Sequence, residues 1–318
     1  MKIVVLDGYA LNPGDLSWDF LKSFGEFTVY DRTPAELIVP RIGDAEIVLL
    51  NKTPITAEIL DACPSVKLIC VLATGYNVGD TAAAAARNIP VCNVPDYGTA
   101  AVAQFTFALL LELCHQVGHH AQTVRDGKWC DCPDFCYWDT PQMELAGKTM
   151  GIIGFGRIGR AVGKIANAFG MKVIAYNRSQ CEEGKAIGSY VNLEELLTTA
   201  DVISLHCPLS PENTDMIDAT VISKMKDGAI VINTARGPLV DEAAVTVALK
   251  SGKLKGFACD VVTAEPMKED NPLKSAPNCI VTPHMAWAPI ESRKRIQACT
   301  ERSIRAFLEG KPINTVNI

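Results

Sequence analysis

The chain has 318 residues, of which 48% are hydrophobic and 21% charged, and its net charge is −6. The length is typical of two domains of about 150 residues, and the composition excludes collagen-like, coiled-coil and extensively disordered proteins. The acidic balance, without a basic block, argues against nucleic-acid binding. The longest charge-free apolar stretch, 97–111, is too short to span a bilayer, and MKIVVLD is too short an apolar run for a signal peptide. We therefore expect a cytoplasmic protein with no membrane partner.

Short apolar, β-branched runs alternate with helix-length segments along the whole chain. Strands are predicted at 3–6, 27–30, 47–50, 68–72, 91–94, 150–153, 173–176, 202–206, 229–233, 257–260 and 280–282. Such alternation predicts mostly parallel sheets covered by helices on both faces. Because the pattern occurs twice, we predict two α/β domains.

Three segments outside the strands also carry a clear signal. Apolar residues at helical spacing predict one long helix over 99–122. Residues 126–141, which contain Gly, Trp, Cys and Pro without a period, are predicted to form an irregular loop. A last helix is predicted over 289–309, because a proline stands near its first turn and a glycine follows its end.

The chain contains twelve cysteines, most of them single residues in apolar surroundings. A free thiol packs there as a small hydrophobic group, so we expect reduced cysteines rather than a disulfide framework. Cys130, Cys132 and Cys136 lack the two-residue spacing and the fourth ligand of a structural zinc site. No metal site is predicted.

A strand, a glycine-rich turn and a helical pattern follow one another at 148–160, KTMGIIGFGRIGR. Gly154 permits a tight turn, Gly156 lets the backbone approach a pyrophosphate, and Gly159 lets the helix pack against the strand. The helix N-terminus then presents N–H groups to phosphates. This order predicts a dinucleotide site rather than a packing turn. Its residues are Gly154, Gly156, Arg157, Ile158 and Gly159.

The residue after the next strand bears on the choice between NAD and NADP. A carboxylate about 20 residues beyond the glycines would bind the ribose 2′-hydroxyl. This chain has Asn177 there, followed by Arg178. A guanidinium without a competing carboxylate favours a 2′-phosphate, so NADP or the use of both cofactors is expected. The alternative is that Asn177 binds the diol of NAD while Arg178 faces solvent.

Polar residues also follow three later strands, at the sheet edge where open α/β folds bind ligands. They are Arg236 in 232–237, Glu265 in 260–266 and His284 in 281–287. With these motifs, SLHCPLSPENTDMI at 204–217 and NTARGPLVDE at 233–242, the chain resembles the D-isomer-specific 2-hydroxyacid dehydrogenase family over almost its whole length. The resemblance is greatest to the glycerate dehydrogenase (hydroxypyruvate reductase) branch of that family.

The chemistry of this family needs the same residue types. Reduction of a 2-oxoacid requires a hydride and a proton for the carbonyl oxygen, and the imidazole of His284 can supply the proton. Glu265, hydrogen-bonded to the imidazole, would favour and orient the imidazolium. Arg236 can bind the substrate carboxylate through its planar donor fork. The resemblance implies these same catalytic roles for the three residues.

The resemblance implies further contacts. Thr74 and Gly75, in a turn after a first-domain strand, would bind the substrate carboxylate through backbone N–H groups. Contacts with the cofactor are implied for Thr106, Cys207, Pro208, Thr234, Ala235 and Asp260. The loop 126–141, with Trp129 and Trp138, corresponds to the dimer-contact region of the family. A homodimer through the nucleotide domain is therefore expected.

The resemblance also implies how the chain is divided. Residues 1–99 and 288–318 are expected to form a flavodoxin-like substrate domain, and 100–287 a doubly wound NAD(P)-binding domain, with a cleft between them. The expected reaction is the reduction of hydroxypyruvate or glyoxylate to the D-2-hydroxyacid.

Three alternatives remain open. They are a 3-phosphoglycerate dehydrogenase, a D-lactate-type dehydrogenase and a nucleotide-sensing binding protein of the same fold. The turn near Thr74 has no Arg or Lys, which argues against a phosphorylated substrate. Lys52 and Arg41 weaken that argument, because the sequence does not place them in space.

Overall fold

The computed structural model describes residues 1–76 and 78–317 and divides the chain into two compact units. Unit 1 contains Met1–Gly98 and Trp287–Ile318, and unit 2 contains Thr99–Ala286. Asn77, in the predicted turn after the fourth strand, and the terminal Ile318 lie outside the described residues. Unit 2 is thus inserted into unit 1 along the chain.

Unit 1 is built on a five-stranded parallel sheet with the order β2-β1-β3-β4-β5. Its strands are β1 (Lys2–Val5), β2 (Glu26–Val29), β3 (Ile47–Leu50), β4 (Leu68–Val71) and β5 (Val91–Cys92). Its helices are α1 (Ile38–Ile42), α2 (Ala57–Ala62), α3 (Thr81–Ala86) and α11 (Ile290–Leu308). Every residue of β3 and β4 is buried, as expected for strands covered on both faces. The strand order is that of flavodoxin-like folds.

Helix α11 returns the end of the chain to unit 1. Its buried Ile296, Cys299 and Ile304 belong to a core cluster that covers one face of the five-stranded sheet. At its start, the buried Arg293 donates two hydrogen bonds of 2.6 Å to the carboxylate of Asp15. The fork geometry of this pair fixes the first turn of α11 against the loop after β1.

Unit 2 is built on a seven-stranded parallel sheet with the order β12-β11-β10-β9-β6-β7-β8. Its strands are β6 (Thr149–Ile153), β7 (Lys172–Tyr176), β8 (Ser189–Tyr190), β9 (Val202–Leu205), β10 (Ala229–Asn233), β11 (Leu254–Cys259) and β12 (Cys279–Val281). The strand order reverses between β6 and β9, and ligands of doubly wound folds bind at such a switch point. The glycine turn follows β6.

Helices cover both faces of this sheet. The helices of unit 2 are α4 (Thr99–His115), α5 (Val117–Arg125), α6 (Arg157–Ala168), α7 (Glu182–Lys185), α8 (Leu193–Thr199), α9 (Ala219–Lys224) and α10 (Glu242–Ser251), of which α5 buries no residue. Asn192, Asp218 and Asp241 cap α8, α9 and α10 through their side chains. Such caps satisfy N–H groups that have no partner inside the helix.

The predicted fold class is confirmed, and all eleven predicted strands are present with ends that shift by at most three residues. The sequence missed β8, a two-residue edge strand too short to give an apolar run. The predicted last helix is present as α11, and 126–141 contains no helix or strand.

The prediction of one long helix over 99–122 is wrong. The helix ends at His115, Gln116 adopts the left-handed conformation at φ +45°, and α5 continues at an angle of 56°. Gly118 lies two residues beyond Gln116 but inside the first turn of α5, and no proline is near, so the local residues do not predict a helix end at this position. In the described part of the chain, no single helix is long and apolar enough to cross a membrane. Only α4 and α5 taken together meet those limits.

Candidate functional site

The glycine turn after β6 has the geometry that its three glycines predict. Gly154 has φ +94°, and a Cβ atom on it would lie 2.4 Å from the backbone nitrogen of Cys207. A Cβ on Gly159 would lie 2.2 Å from the carbonyl oxygen of Gly154, whereas a Cβ on Gly156 would meet nothing within 4 Å. Gly154 and Gly159 are thus closely packed, whereas the space next to Gly156 is open. This arrangement fits the pyrophosphate of a dinucleotide at the N-terminus of α6.

Asn177 is part of the turn itself. Its side-chain oxygen accepts a hydrogen bond of 3.1 Å from the N–H of Phe155, and its amide group donates at 2.6 Å to the carbonyl of Ser179. The amide therefore connects the glycine turn to the loop after β7. The neighbouring Arg178 is exposed, and within the described chain its guanidinium forms no ion pair.

The loop after β9 lies against Gly154 and contains a residue that the sequence analysis missed. His206 accepts or donates a 2.8 Å hydrogen bond with the hydroxyl of Ser204, while its buried Nδ1 has no partner among the described residues. Burial lowers the pKa of His206 to about 3, so the ring is neutral. Burial also raises the pKa of the Cys207 thiol, and Pro208 is exposed. Only its position after a strand could have drawn attention to His206.

Two predicted cofactor residues that are 128 positions apart meet in the structure. The hydroxyls of Thr106, on α4, and Thr234, after β10, lie 3.1 Å apart. Thr106 is 0% exposed, and its hydroxyl also donates to the carbonyl of Val102 at 2.8 Å. The buried Thr106 thus holds the loop that contains Thr234. A direct contact of Thr106 with a cofactor stays a prediction.

Arg236 lies in the tight loop that follows β10. The side chain of Asn233 closes this loop by donating to the carbonyl of Arg236 at 2.8 Å and accepting from the N–H of Ala235 at 3.0 Å. A Cβ on Gly237 would lie 2.0 Å from the carbonyl carbon of Val262, so only glycine lets the two loops touch. The exposed guanidinium of Arg236 donates at 2.6 Å to the carbonyl of Ala235.

Glu265 and His284 form a hydrogen-bonded pair. The distance between Nδ1 of His284 and Oε2 of Glu265 is 2.7 Å, and each side chain is 35% exposed. The other oxygen of Glu265 accepts from the N–H of Val262 at 3.2 Å. Because the hydrogen bond is made by Nδ1, the ring is held with Nε2 directed away from Glu265.

A buried carboxylate fixes the loop that carries His284. Asp260 is 1% exposed, and it accepts hydrogen bonds from the Thr282 hydroxyl at 2.6 Å and from the N–H groups of Met285 at 2.9 Å and Ala286 at 2.8 Å. Burial raises the pKa of Asp260, and the three donors oppose that shift. They bracket His284, whose φ of +52° is unusual for a residue other than glycine. A contact of Asp260 with nicotinamide remains a prediction.

Thr74 and Gly75 belong to unit 1, where they follow β4. The hydroxyl of Thr74 donates at 2.7 Å to the carbonyl of Val94, and Asn93 donates at 2.8 Å to the carbonyl of Thr74. Both residues are exposed, and their backbone N–H groups donate to no acceptor in the described chain. The turn therefore has amide donors available for an anion.

The described residues contain no group of three or more His, Cys, Asp or Glu side chains that could hold a metal ion. The cysteines are free thiols, and Cys132 lies 3.9 Å from the carbonyl oxygen of Cys136. His119 pairs with Asp139 at 2.8 Å rather than with a cysteine.

Replacement of Asp260 by asparagine tests the anchoring role. The new amide group would face the N–H of Ala286, so one buried donor loses its acceptor, which costs about 1–3 kcal/mol. We expect Asp260→Asn to lower the free energy of unfolding in urea by about 2 kcal/mol. Asp227→Asn, at an exposed carboxylate paired with Lys253, is the matched control and should change it by less than about 0.5 kcal/mol. Equal effects of the two changes would contradict the anchoring role.

The comparisons with known proteins agree with this geometry. Residues 107–286 match the family described as D-isomer specific 2-hydroxyacid dehydrogenase, NAD binding domain. The chain is 54% identical to a hydroxypyruvate reductase of Blautia hydrogenotrophica, with 100% of both chains covered. It is 43% identical to a glycerate dehydrogenase of Methylorubrum extorquens, covering 99% of this chain and 98% of that one.

Among solved structures, an acyclic imino acid reductase in complex with NADPH and D-Arg is similar to the chain. It superposes with a TM-score of 0.85 at 31% identity, and 99% of this chain and 100% of that chain are covered. The shared fold, the family match and the full-length relatives lead to one conclusion. The chain belongs to the D-isomer specific 2-hydroxyacid dehydrogenase family.

Proposed function

We propose that the protein reduces hydroxypyruvate or glyoxylate to the corresponding 2-hydroxyacid, with the D configuration where the product is chiral. The observation that carries the proposal is the Glu265–His284 pair at the same sheet edge as the glycine turn. The names of the relatives, hydroxypyruvate reductase and glycerate dehydrogenase, describe the two directions of one such reaction. In this proposal unit 1 binds the substrate and unit 2 binds the cofactor.

When it is bound, a reduced nicotinamide supplies the hydride for the carbonyl carbon. His284 holds the proton for the carbonyl oxygen at Nε2, because Nδ1 is committed to Glu265. The carboxylate of Glu265 stabilises the imidazolium before the proton leaves and keeps the ring in one orientation. Arg236 binds the substrate carboxylate and polarises the carbonyl group. In unit 1, the amides of Thr74 and Gly75 bind the carboxylate.

Removal of the proton donor tests this reaction. General acid catalysis contributes about 10²–10⁴-fold to a rate, so His284→Ala should lower kcat for hydroxypyruvate by that factor. Glu265→Gln should lower kcat less, because His284 is still present as the proton donor and loses only its charged partner. The consumption of reduced nicotinamide, followed by absorbance, measures both rates. His115→Ala, at a histidine that pairs with Gln142, is the control and should leave kcat unchanged. Full activity of His284→Ala would refute the assignment.

For the cofactor, we favour NADP or the use of both cofactors. Arg178 is an exposed cation beside the glycine turn, and in the described chain no carboxylate forms an ion pair with it. The amide of Asn177, which donates to the carbonyl of Ser179, is neutral and does not repel a 2′-phosphate as a carboxylate would. The similar imino acid reductase was solved with NADPH.

Removal of this guanidinium should discriminate between the two cofactors. Arg178→Gln is expected to raise KM for NADPH about tenfold, equivalent to about 1.4 kcal/mol for one lost phosphate contact, and to leave KM for NADH within twofold. Steady-state kinetics with each cofactor measure the ratio. Arg302→Gln, at an exposed arginine of α11, should change neither value. A wild-type enzyme that uses NADH hundreds-fold better than NADPH would contradict the preference.

We also propose a homodimer formed through unit 2. Helix α5 has no buried residue, and the loop after it exposes three large rings. Phe135 is 88%, Trp138 66% and Trp129 51% exposed. A cluster of exposed aromatic residues is typical of a protein interface. The cytoplasmic location expected from the sequence remains a prediction.

Charged substitutions in this cluster should separate the subunits. We expect the double change Phe135→Glu and Trp138→Glu to convert a dimer of the wild type into a monomer in sedimentation velocity, because two charges cannot be buried unpaired. Val247→Glu, at an equally exposed apolar residue of α10, should leave the dimer intact. A monomeric wild type, or a double variant that stays dimeric, would refute the interface.

A further inference from the structure

The loop after β3, at the carboxyl edge of the sheet of unit 1, is held by one carboxylate. Asp7 accepts hydrogen bonds from three successive backbone N–H groups, those of Asn51 at 2.7 Å, Lys52 at 2.6 Å and Thr53 at 2.8 Å. Asn51 and Thr53 are buried, whereas Lys52 between them is exposed. The backbone is thus fixed, and Lys52 is the one residue of the three that faces solvent.

This loop leaves the sheet beside the turn that contains Thr74 and Gly75. Strands β3 and β4 are parallel neighbours with Leu50 opposite Val71, and the N–H of Leu72 donates to the carbonyl of Leu50 at 2.7 Å. Neighbouring strands are about 4.8 Å apart, a gap that the four-carbon stem of a lysine spans. The ammonium group of Lys52 therefore has access to the space next to the available amides of Thr74 and Gly75.

Two other cations of unit 1, Arg41 and Arg32, already contact described side chains. The Arg41 guanidinium lies 4.2 Å from the ring centre of Tyr30 and donates at 2.9 Å to the hydroxyl of Thr33. The Arg32 guanidinium lies 4.0 Å from the ring centre of Tyr9. The ammonium group of Lys52, in contrast, forms no ion pair or hydrogen bond with any described residue. Among these three side chains, only that of Lys52 has a charged group without a contact to a described residue.

We propose that Lys52 is a specificity-determining residue that binds the oxygen-bearing substituent on C3 of the substrate. The proposal rests on the proposed function, in which the amides of Thr74 and Gly75 bind the carboxylate. The C3 substituent is then the remaining group of a small 2-oxoacid that a cation can recognise. An ammonium group has three donors and no acceptor, so it favours a hydroxyl or anionic oxygen over a methyl group. Lys52 thus selects hydroxypyruvate over pyruvate and over glyoxylate, which has no C3.

The test compares kcat/KM for these three compounds in the wild type, Lys52→Met and Lys52→Arg. A hydrogen bond to a charged group is worth about tenfold or more, so Lys52→Met should lower kcat/KM for hydroxypyruvate about tenfold, mostly through KM. The values for glyoxylate and pyruvate should stay within twofold. Lys52→Arg, which keeps the charge and the donors, should retain most of the activity with hydroxypyruvate.

Lys67→Met is the matched control. Lys67 precedes β4 at the opposite edge of the same sheet, where it pairs with Glu46 at 2.7 Å, and its replacement should change no ratio. An equal loss for all three compounds in Lys52→Met would overturn the proposal, because it would place Lys52 on the shared carboxylate or in the folding of unit 1. No loss for any compound would overturn it too. A wild type inactive with all three would instead refute the proposed function, and the role of Lys52 with it.

Discussion

The hydrogen bonds that the buried carboxylate of Asp260 accepts are the interaction on which the candidate site depends. Its three donors lie on both sides of His284, so the carboxylate fixes the loop in a conformation that an isolated peptide rarely adopts. The position of His284 then permits the 2.7 Å contact with Glu265. A buried charge is costly unless donors surround it, and here the loop backbone supplies those donors.

Asp7 has the corresponding role in unit 1. It also accepts three hydrogen bonds from a loop at the carboxyl edge of a parallel sheet, and of the three donor residues only Lys52 is exposed. In each unit, one carboxylate thus positions a candidate functional residue by accepting three hydrogen bonds. Backbone N–H groups just beyond a strand end have no partner in the sheet, so they are available to such a carboxylate.

Glycines supply the other constraint, since they let backbones touch where a side chain would not fit. Gly154 brings the glycine turn against Cys207, and Gly237 brings the Arg236 loop against Val262, whose N–H donates to Glu265. The loops after β6, β9, β10 and β11 are thereby packed in pairs around one sheet edge. Hydrophobic burial of the strands holds the edge in place, and these close approaches determine the arrangement of its loops.

The amino-acid sequence by itself determined the two parallel sheets and the glycine turn that follows β6. Strands β3 and β4 are continuous apolar runs, as expected for strands that are buried on both faces. The spacing of Gly154, Gly156 and Gly159 is recognisable because each glycine has a local steric reason. The tertiary structure decided what depends on partners far along the chain. The bend at Gln116, the Thr106–Thr234 contact and the use of the Asn177 amide by Phe155 and Ser179 are of this kind. Local propensity does not encode them, because each depends on which distant donor or acceptor the folded chain brings within about 3 Å.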